Sequence, residues 1–151
     1  MLISERFAPS KLRNAHFIVG TIALAIFLAT GQYMYWWHGH LRGMDNTPRL
    51  LFRSAHIYLL WSALLNTILG LYIQPCEVKW CRSLQWVGSL AILIGPPLLF
   101  LAFFFEPWLS GLVRPYAQPA IYVAFGGTLL HVLATIGERS QAVGRPKPNS
   151  P

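Results

Sequence analysis

The sequence predicts an all-α integral membrane protein, a four-helix bundle with short loops. Of its 151 residues, 54% are hydrophobic and 11% are charged, whereas about a quarter of the residues in a soluble domain carry a charge. Each of four apolar runs has close to the ~20 residues needed to cross the hydrocarbon core of a bilayer. No water is available there to the backbone amides, so each run must cross as a helix. The runs are Phe17–Tyr35, Ser54–Ile73, Leu84–Phe105 and Pro119–Ile136, and none contains Asp, Glu, Lys or Arg.

Interfacial aromatic residues and turn residues mark the ends of these runs. The first run closes on the aromatic cluster Tyr33–Trp37, whose amphipathic rings favour the membrane interface. Before the second run, Thr47 can act as N-cap, and Pro48 fits the first helical position because its missing N–H costs nothing there. Glu106-Pro107 ends the third run. We therefore predict helices at 16–37, 48–73, 84–105 and 119–136.

The chain divides into one membrane domain and two short flanking segments. Residues 16–137 hold the four predicted helices. Residues 1–15 form a cationic lead that we expect to lie at the lipid headgroups. Residues 138–151 form a proline-rich tail that we expect to be disordered.

The basic residues predict how the protein is oriented. A net charge of +7 would suggest a nucleic-acid surface in a soluble protein, but here the basic residues flank the helices, and we expect no nucleic-acid partner. Because cytoplasmic loops are enriched in Lys and Arg, we predict that both termini are cytoplasmic. Eight of the 12 basic residues fall on the side of the termini and four on the other: Arg6, Lys11, Arg13, Lys79, Arg82, Arg139, Arg145 and Lys147 against Arg42, Arg49, Arg53 and Arg114.

Small and polar residues at helical spacing indicate which faces of two helices pack inward. Membrane helices associate through small residues and hydrogen bonds, because lipid is as apolar as leucine. We therefore expect His56 and His131 to face protein. The stripe on the second helix is His56, Ala63 and Gly70 with Asn66 and Thr67 beside it, and that on the fourth is Ala124, Gly127, Thr128, His131, Ala134 and Thr135.

The histidines are the main candidates for function. His56 and His131 lie inside apolar runs, and an ionisable residue in a membrane helix is a candidate functional residue by default. A neutral histidine can also simply hydrogen-bond to a neighbouring helix. Histidines from two helices of a bundle could together bind a cofactor. The candidate cofactor is haem b.

Depth estimates divide the histidines into two groups. At 1.5 Å per residue, His131 lies about 18 Å and His56 about 5 Å from the outer boundary, so these two cannot readily ligate one iron. His16 and His131 form an inner candidate pair, which could meet only if the helices tilt. The outer candidate group consists of His38, His40 and His56 with Arg49 and Arg53.

The outer group allows several ligands. Imidazoles of His38, His40 and His56 could bind a metal such as copper. Arginines, including Arg42, could hold haem propionates or the anionic head of a lipid or quinone. The same residue types are also ordinary at a membrane interface.

Cys76 and Cys81 lie in the short loop between the second and third helices. A cytoplasmic location keeps thiols reduced and disfavours a disulfide, and the inverted topology would favour one. The C-x4-C spacing could hold a metal only with two further ligands, and the neighbouring sequence supplies none.

Small size, short loops and the lack of a membrane-embedded carboxylate favour a non-catalytic membrane subunit or an assembly factor of a larger membrane complex. The alternatives are a small redox protein with haem b and a protein that handles copper or another metal at the outer face. Ion-coupled transport is disfavoured because the helix interiors lack charged residues. Enzymes rank last, because no catalytic motif is found and the five acidic residues are dispersed among termini and loops.

The segment Leu51–Leu60, followed by Leu65-Asn66 and Leu69–Tyr72, resembles a pattern in small uncharacterised bacterial membrane proteins with four helices. The resemblance covers about one helix in four. It implies a bacterial inner membrane, and it singles out Arg53, His56 and Asn66 for joint testing.

Overall fold

The computed structural model describes the backbone of residues 7–143 and the side chains of residues 11–141. Its four α-helices confirm the predicted all-α fold, and each is long and apolar enough to cross a membrane. Strands do not occur in the described part of the chain. The helices are α1 (Phe7–Trp36), α2 (Asn46–Tyr72), α3 (Lys79–Phe105) and α4 (Ala117–Val143), with short 3-10 turns at Gly39–Leu41 and Glu106–Trp108.

The helices form two hairpins. Short connections make consecutive helices antiparallel, and α1 packs along α2 while α3 packs along α4. The hairpins meet mainly through α2 and α3, with a smaller contact between α1 and α3. The end of the bundle where α1 starts and α4 finishes is called the terminal end, and the opposite end, with the α1–α2 and α3–α4 connections, is called the loop end.

Three helices extend beyond their predicted bounds by five residues or more. α1 begins at Phe7 rather than at residue 16, α3 at Lys79 rather than at residue 84, and α4 continues to Val143 rather than to residue 136. Hydropathy detects only the part of a helix that lies in hydrocarbon, whereas charged first and last turns stand in the headgroup region. Residues 7–15 of the predicted lead and 138–143 of the predicted tail are therefore helical. Residues 1–6 and 144–151 lie outside the described residues.

The start of α2 differs in detail from the prediction. Its N-cap is Asp45 rather than Thr47, the cap carries no side-chain hydrogen bond, and Pro48 occupies the third helical position instead of the first. The first N–H groups of a helix have no intrahelical acceptor. A proline in this turn therefore removes no helical hydrogen bond.

Glycines bring the two helices of each hairpin into backbone contact. A Cβ atom built on Gly20 would lie 2.5 Å from the backbone nitrogen of Thr67, and one on Gly70 would lie as close to the backbone of α1. In the second hairpin, a Cβ on Gly88 would lie 2.7 Å from the carbonyl oxygen of Gly127. A Cβ on Gly127 would lie 2.6 Å from the carbonyl oxygen of Gly88. Such close approach is a main source of helix association in lipid.

In the second hairpin, a carboxylate stabilises the N-terminus of each helix. Glu106, only 1% exposed, accepts hydrogen bonds from the backbone N–H groups of Tyr116 and Ala117 at 2.9 and 2.7 Å, where α4 starts. The two carboxylate oxygens of Glu138 accept the N–H groups of the two residues before α3, at 3.1 and 3.2 Å. A negative charge at a helix N-terminus is stabilised by the helix dipole as well as by these bonds. The second hairpin is thus tied at both ends.

We predict that Gly127→Ala lowers the free energy of unfolding by about 1–3 kcal/mol, because the added methyl group must displace the backbone of α3. The neighbouring Gly126→Ala is the matched control, since a Cβ there meets nothing within 4 Å. It should be neutral or stabilising by up to ~1 kcal/mol, because alanine favours helix. Unfolding by sodium dodecyl sulfate in mixed micelles measures the stability of both variants. Equal losses of stability in the two variants would refute the backbone contact.

We also predict that Glu106→Gln destabilises the protein by roughly 1 kcal/mol, because the amide keeps an acceptor oxygen but loses the charge that favours the helix N-terminus. Asp45→Asn serves as the control. Asp45 is an exposed N-cap without a side-chain cap bond, so its neutralisation should change stability by less than about 0.5 kcal/mol. The same denaturation assay applies, and an unchanged Glu106→Gln protein would contradict the capping role.

Candidate functional site

One polar residue from each helix meets in the half of the bundle nearer the terminal end. Nδ1 of His16 on α1 lies 2.8 Å from Oδ1 of Asn66 on α2. Ser89 on α3 shares a 2.9 Å hydrogen bond with Nε2 of His131 on α4. The two imidazole rings meet edge to face, with centroids 6.4 Å apart and planes at 72°. These four residues are called the four-helix cluster.

The hydrogen bonds of Asn66 fix the tautomer of His16. The Asn66 amide nitrogen donates to the carbonyl oxygen of Ser62 at 2.9 Å, so its oxygen faces His16. The oxygen can only accept, and Nδ1 of His16 must therefore carry the proton. Nε2 of His16 is left as a buried lone pair with no partner among the described residues, and the hydroxyl of Ser62 is likewise buried and unpartnered there.

The structure brings His16 and His131 together more closely than the depth estimate suggested. His16 is nine residues, or about 14 Å, into α1, because that helix begins at Phe7. His131 is twelve residues, or about 18 Å, from the end of α4 at Val143. The two histidines thus reach similar depths. The estimate had placed His16 at the membrane surface, because it began the helix at residue 16.

His56 belongs to a separate contact between α1 and α2. Its Nδ1 lies 3.0 Å from the hydroxyl oxygen of Thr30, and that hydroxyl donates its single proton to the carbonyl of Phe27 at 2.8 Å. Nδ1 of His56 must therefore be the donor. The imidazole also stacks on the ring of Phe27, with centroids 4.1 Å apart. His56 is half-buried against protein, in agreement with its position on the inward stripe.

The remaining residues of the outer candidate group have separate neighbours. His38 sits among aromatic rings, with centroids 5.1 Å from Tyr33 and 5.3 Å from Phe52. Its Nε2 is buried without a partner among the described residues. His40 is exposed, has a left-handed backbone (φ 60°), and packs edge-on against Tyr35.

The arginines at the loop end lie in different environments. Arg49 is half-buried and donates to the carbonyl of Met44. Arg42 and Arg53 are exposed. Within residues 7–143, no group of three or more His, Cys, Asp or Glu side chains is placed to hold a metal ion. The structure therefore does not assemble His38, His40 and His56 into the metal site that the sequence suggested.

Cys76 and Cys81 are free thiols, and both are buried against Ala134. Burial raises the pKa of the Cys76 thiol, and the nearby carboxylate of Glu138 raises it further. Because the thiolate is the reactive form, this environment makes Cys76 a poor nucleophile and a poor metal ligand. The cysteines belong to the packing of the terminal end.

The His16–His131 pair fits haem in one respect and fails in another. Metal–nitrogen bonds of about 2.0 Å would place the centroids of two opposed imidazole ligands roughly 6 Å apart, close to the spacing here. A porphyrin, however, needs an open slot beside each ring. His16 is 0% exposed, and the glycine contacts of both hairpins hold the helices together at this level. The packing around the rings does not fit a macrocycle.

Comparison with family models, with curated proteins and with solved structures found no match for this chain.

We predict that His16 is neutral and carries its proton on Nδ1, and that Asn66→Leu removes this preference because the acceptor is gone. The tautomer can be read from the ¹⁵N shifts of labelled histidine in detergent micelles. The loss should cost about 0.6 kcal/mol of stability, the average for a hydrogen bond between membrane helices, and at most about 1.7 kcal/mol. His56 is the internal control, since its bond to Thr30 is untouched. An unchanged His16 tautomer in the Asn66→Leu protein would refute this assignment.

Proposed function

We propose that this protein is a non-catalytic membrane subunit or assembly factor of a larger membrane complex. The main support is the way in which the polar side chains of the spans are used. His16, His56 and His131 each hydrogen-bond to a neighbouring helix. A polar group that hydrogen-bonds to a neighbouring helix stabilises a bundle in lipid. The main role of these residues is therefore to hold the helices together.

The proposed location is a bacterial inner membrane with both termini in the cytoplasm. The four spans support a multi-pass membrane protein, and the basic residues support this orientation. Within the described side chains, Lys11, Arg13, Lys79, Arg82 and Arg139 lie at the terminal end, against Arg42, Arg49, Arg53 and Arg114 at the loop end.

One observation favours a redox function as the second candidate. His16 has the arrangement usual for a metal-ligating histidine, because one ring nitrogen donates to a fixed acceptor while the other carries a free lone pair. His131 faces it across 6.4 Å. The closed packing around His16 is the argument against haem b, and it places this candidate second. Metal handling by His38, His40 and His56 ranks below it, because these residues have separate neighbours.

Purification of the tagged protein in mild detergent tests the two candidates together. We expect reproducible recovery of one or more membrane partners in a fixed ratio, and no Soret band from haem-replete cells. A lone protein with a Soret band that shifts on reduction would overturn the subunit proposal in favour of haem. In that case His16→Ala and His131→Ala should each abolish the band, and His40→Ala, which changes an exposed histidine, should not.

A further inference from the structure

Arg53 places a cation on the lipid-facing surface of α2. Its side chain is exposed, and it lies one turn from Leu50 and from Ile57, which are 50% and 60% exposed. Leu64 and Leu71 follow on the same face at helical spacing, and both are exposed. Because α2 is long and apolar enough to cross a membrane, this face is the one that meets lipid. Arg53 is therefore a charged residue at the loop-end margin of an apolar surface.

The backbone of Arg53 lies just inside the hydrocarbon. His56 bonds to Thr30, so these two residues are at similar depth. Arg53 lies about 5 Å nearer the loop end than His56, whereas Trp36 lies about 9 Å nearer that end than Thr30. The exposed ring of Trp36 is of the kind that favours the membrane interface. The α-carbon of Arg53 is thus roughly 4–5 Å below the interfacial ring.

The direction of α2 carries the side chain of Arg53 toward the headgroups. Side chains of a helix lean toward its N-terminus, and α2 begins at the loop end, at Asn46. The methylene stem of an arginine can lie along apolar surface while its charged end reaches a polar level. The guanidinium of Arg53 therefore reaches the depth at which the phosphate groups of the lipids lie.

The carboxylates at the loop end do not neutralise Arg53. Glu106 is buried and accepts two backbone N–H groups at the start of α4. Asp45 precedes Arg53 by about 12 Å along α2. Neither a hydrogen bond nor an ion pair joins Arg53 to another of the described residues. A guanidinium stays protonated in proteins, so the counter-ion of Arg53 comes from outside the described bundle.

The other arginines at the loop end have no such need. Arg42 and Arg114 lie in the connections between helices, where water surrounds an exposed side chain. Arg49, one turn from Arg53, donates to the carbonyl of Met44. A counter-ion is thus required at Arg53 in particular.

The position of Arg53 favours a lipid phosphate over a carboxylate of a partner protein. Phospholipids bring a phosphate to the interface beside every lipid-facing helix. A partner would have to place its own carboxylate at the edge of the hydrocarbon, where acidic side chains are rare and costly. The planar guanidinium also matches two oxygens of a phosphate with two parallel N–H donors.

We propose that Arg53 binds the phosphate group of one membrane phospholipid in the leaflet at the loop end. Two N–H groups of the guanidinium donate to two phosphate oxygens, and the acyl chains of that lipid lie along the face of Ile57 and Leu64. The site rests on the membrane-spanning fold and is independent of the subunit function proposed above.

Solid-state NMR tests the contact directly. The full-length protein, labelled with ¹³C and ¹⁵N in arginine, is reconstituted into phosphatidylcholine bilayers in a buffer without inorganic phosphate, so that all ³¹P belongs to lipid. The side-chain signal that disappears in Arg53→Lys is that of Arg53. We expect ³¹P to dephase its Cζ signal as for a distance of about 4 Å, because charge-assisted N–H···O bonds are short. Absence of dephasing, as for a guanidinium that is only hydrated or that pairs with a carboxylate, would overturn the proposal.

Arg49 is the matched control, because it lies one turn away, is half-buried and donates to Met44. Its signal, assigned with Arg49→Lys, should be dephased far less than that of Arg53, and equal dephasing would refute a specific site. A second sample in dodecyl maltoside micelles with added inorganic phosphate separates a lipid from a free anion. We expect no dephasing of Arg53 there. Dephasing as strong as in the bilayer would assign the site to free phosphate and overturn the lipid assignment.

Discussion

Polar groups within the four spans must find partners inside the protein, because hydrocarbon offers no water to replace a missing hydrogen bond. This requirement explains the arrangement of the bundle core. The ring of His16 is paired with Asn66, that of His56 with Thr30, and that of His131 with Ser89. Each pair joins two neighbouring helices at a fixed rotation. The few buried atoms without partners among the described residues, such as Nε2 of His16, are therefore the most informative polar atoms of the core.

The two hairpins meet this requirement in different ways. The first is joined by side-chain hydrogen bonds between α1 and α2 and by the glycine contacts of Gly20 and Gly70. The second has the Gly88–Gly127 contact at its middle and a carboxylate cap at each end. Both devices suit a membrane protein. Glycines allow dispersion contacts between backbones, and the caps satisfy helix ends at the depth where the hydrocarbon gives way to headgroups.

The spans could be predicted from sequence because apolar composition and length alone decide whether a helix can cross a bilayer. The rotation of α2 was also predictable, since Ala63, Asn66 and Gly70 of the small-residue stripe are all buried. The ends of the helices could not be predicted from hydropathy, because a charged turn such as the first turn of α3 has the same hydropathy whether it is helical or extended. That error moved His16 toward the surface in the depth estimate and separated it from His131.

The partners of the candidate residues were beyond sequence reasoning for a different reason. The contact between Glu138 and the residues before α3 joins positions about sixty residues apart, and nothing in a single sequence pairs them. His16 and Asn66 are fifty residues apart. Their side chains meet only because Gly20 and Gly70 allow α1 and α2 to approach closely. A pattern of small residues indicates that such approach occurs, but it does not identify which polar side chains will face each other.

The pairing of polar residues within hairpins has a consequence for biogenesis. His16 and His56 find their hydrogen-bond partners within the first 72 residues, and Ser89 and His131 find theirs within the remainder. During synthesis the first hairpin can therefore close in the bilayer before α3 has been made, without leaving the rings of His16 and His56 unpaired. The second hairpin can then insert as another complete unit. Joining the two requires only contacts between surfaces that are already formed, which keeps the folding of this chain local and reduces the time for which buried polar groups lack partners.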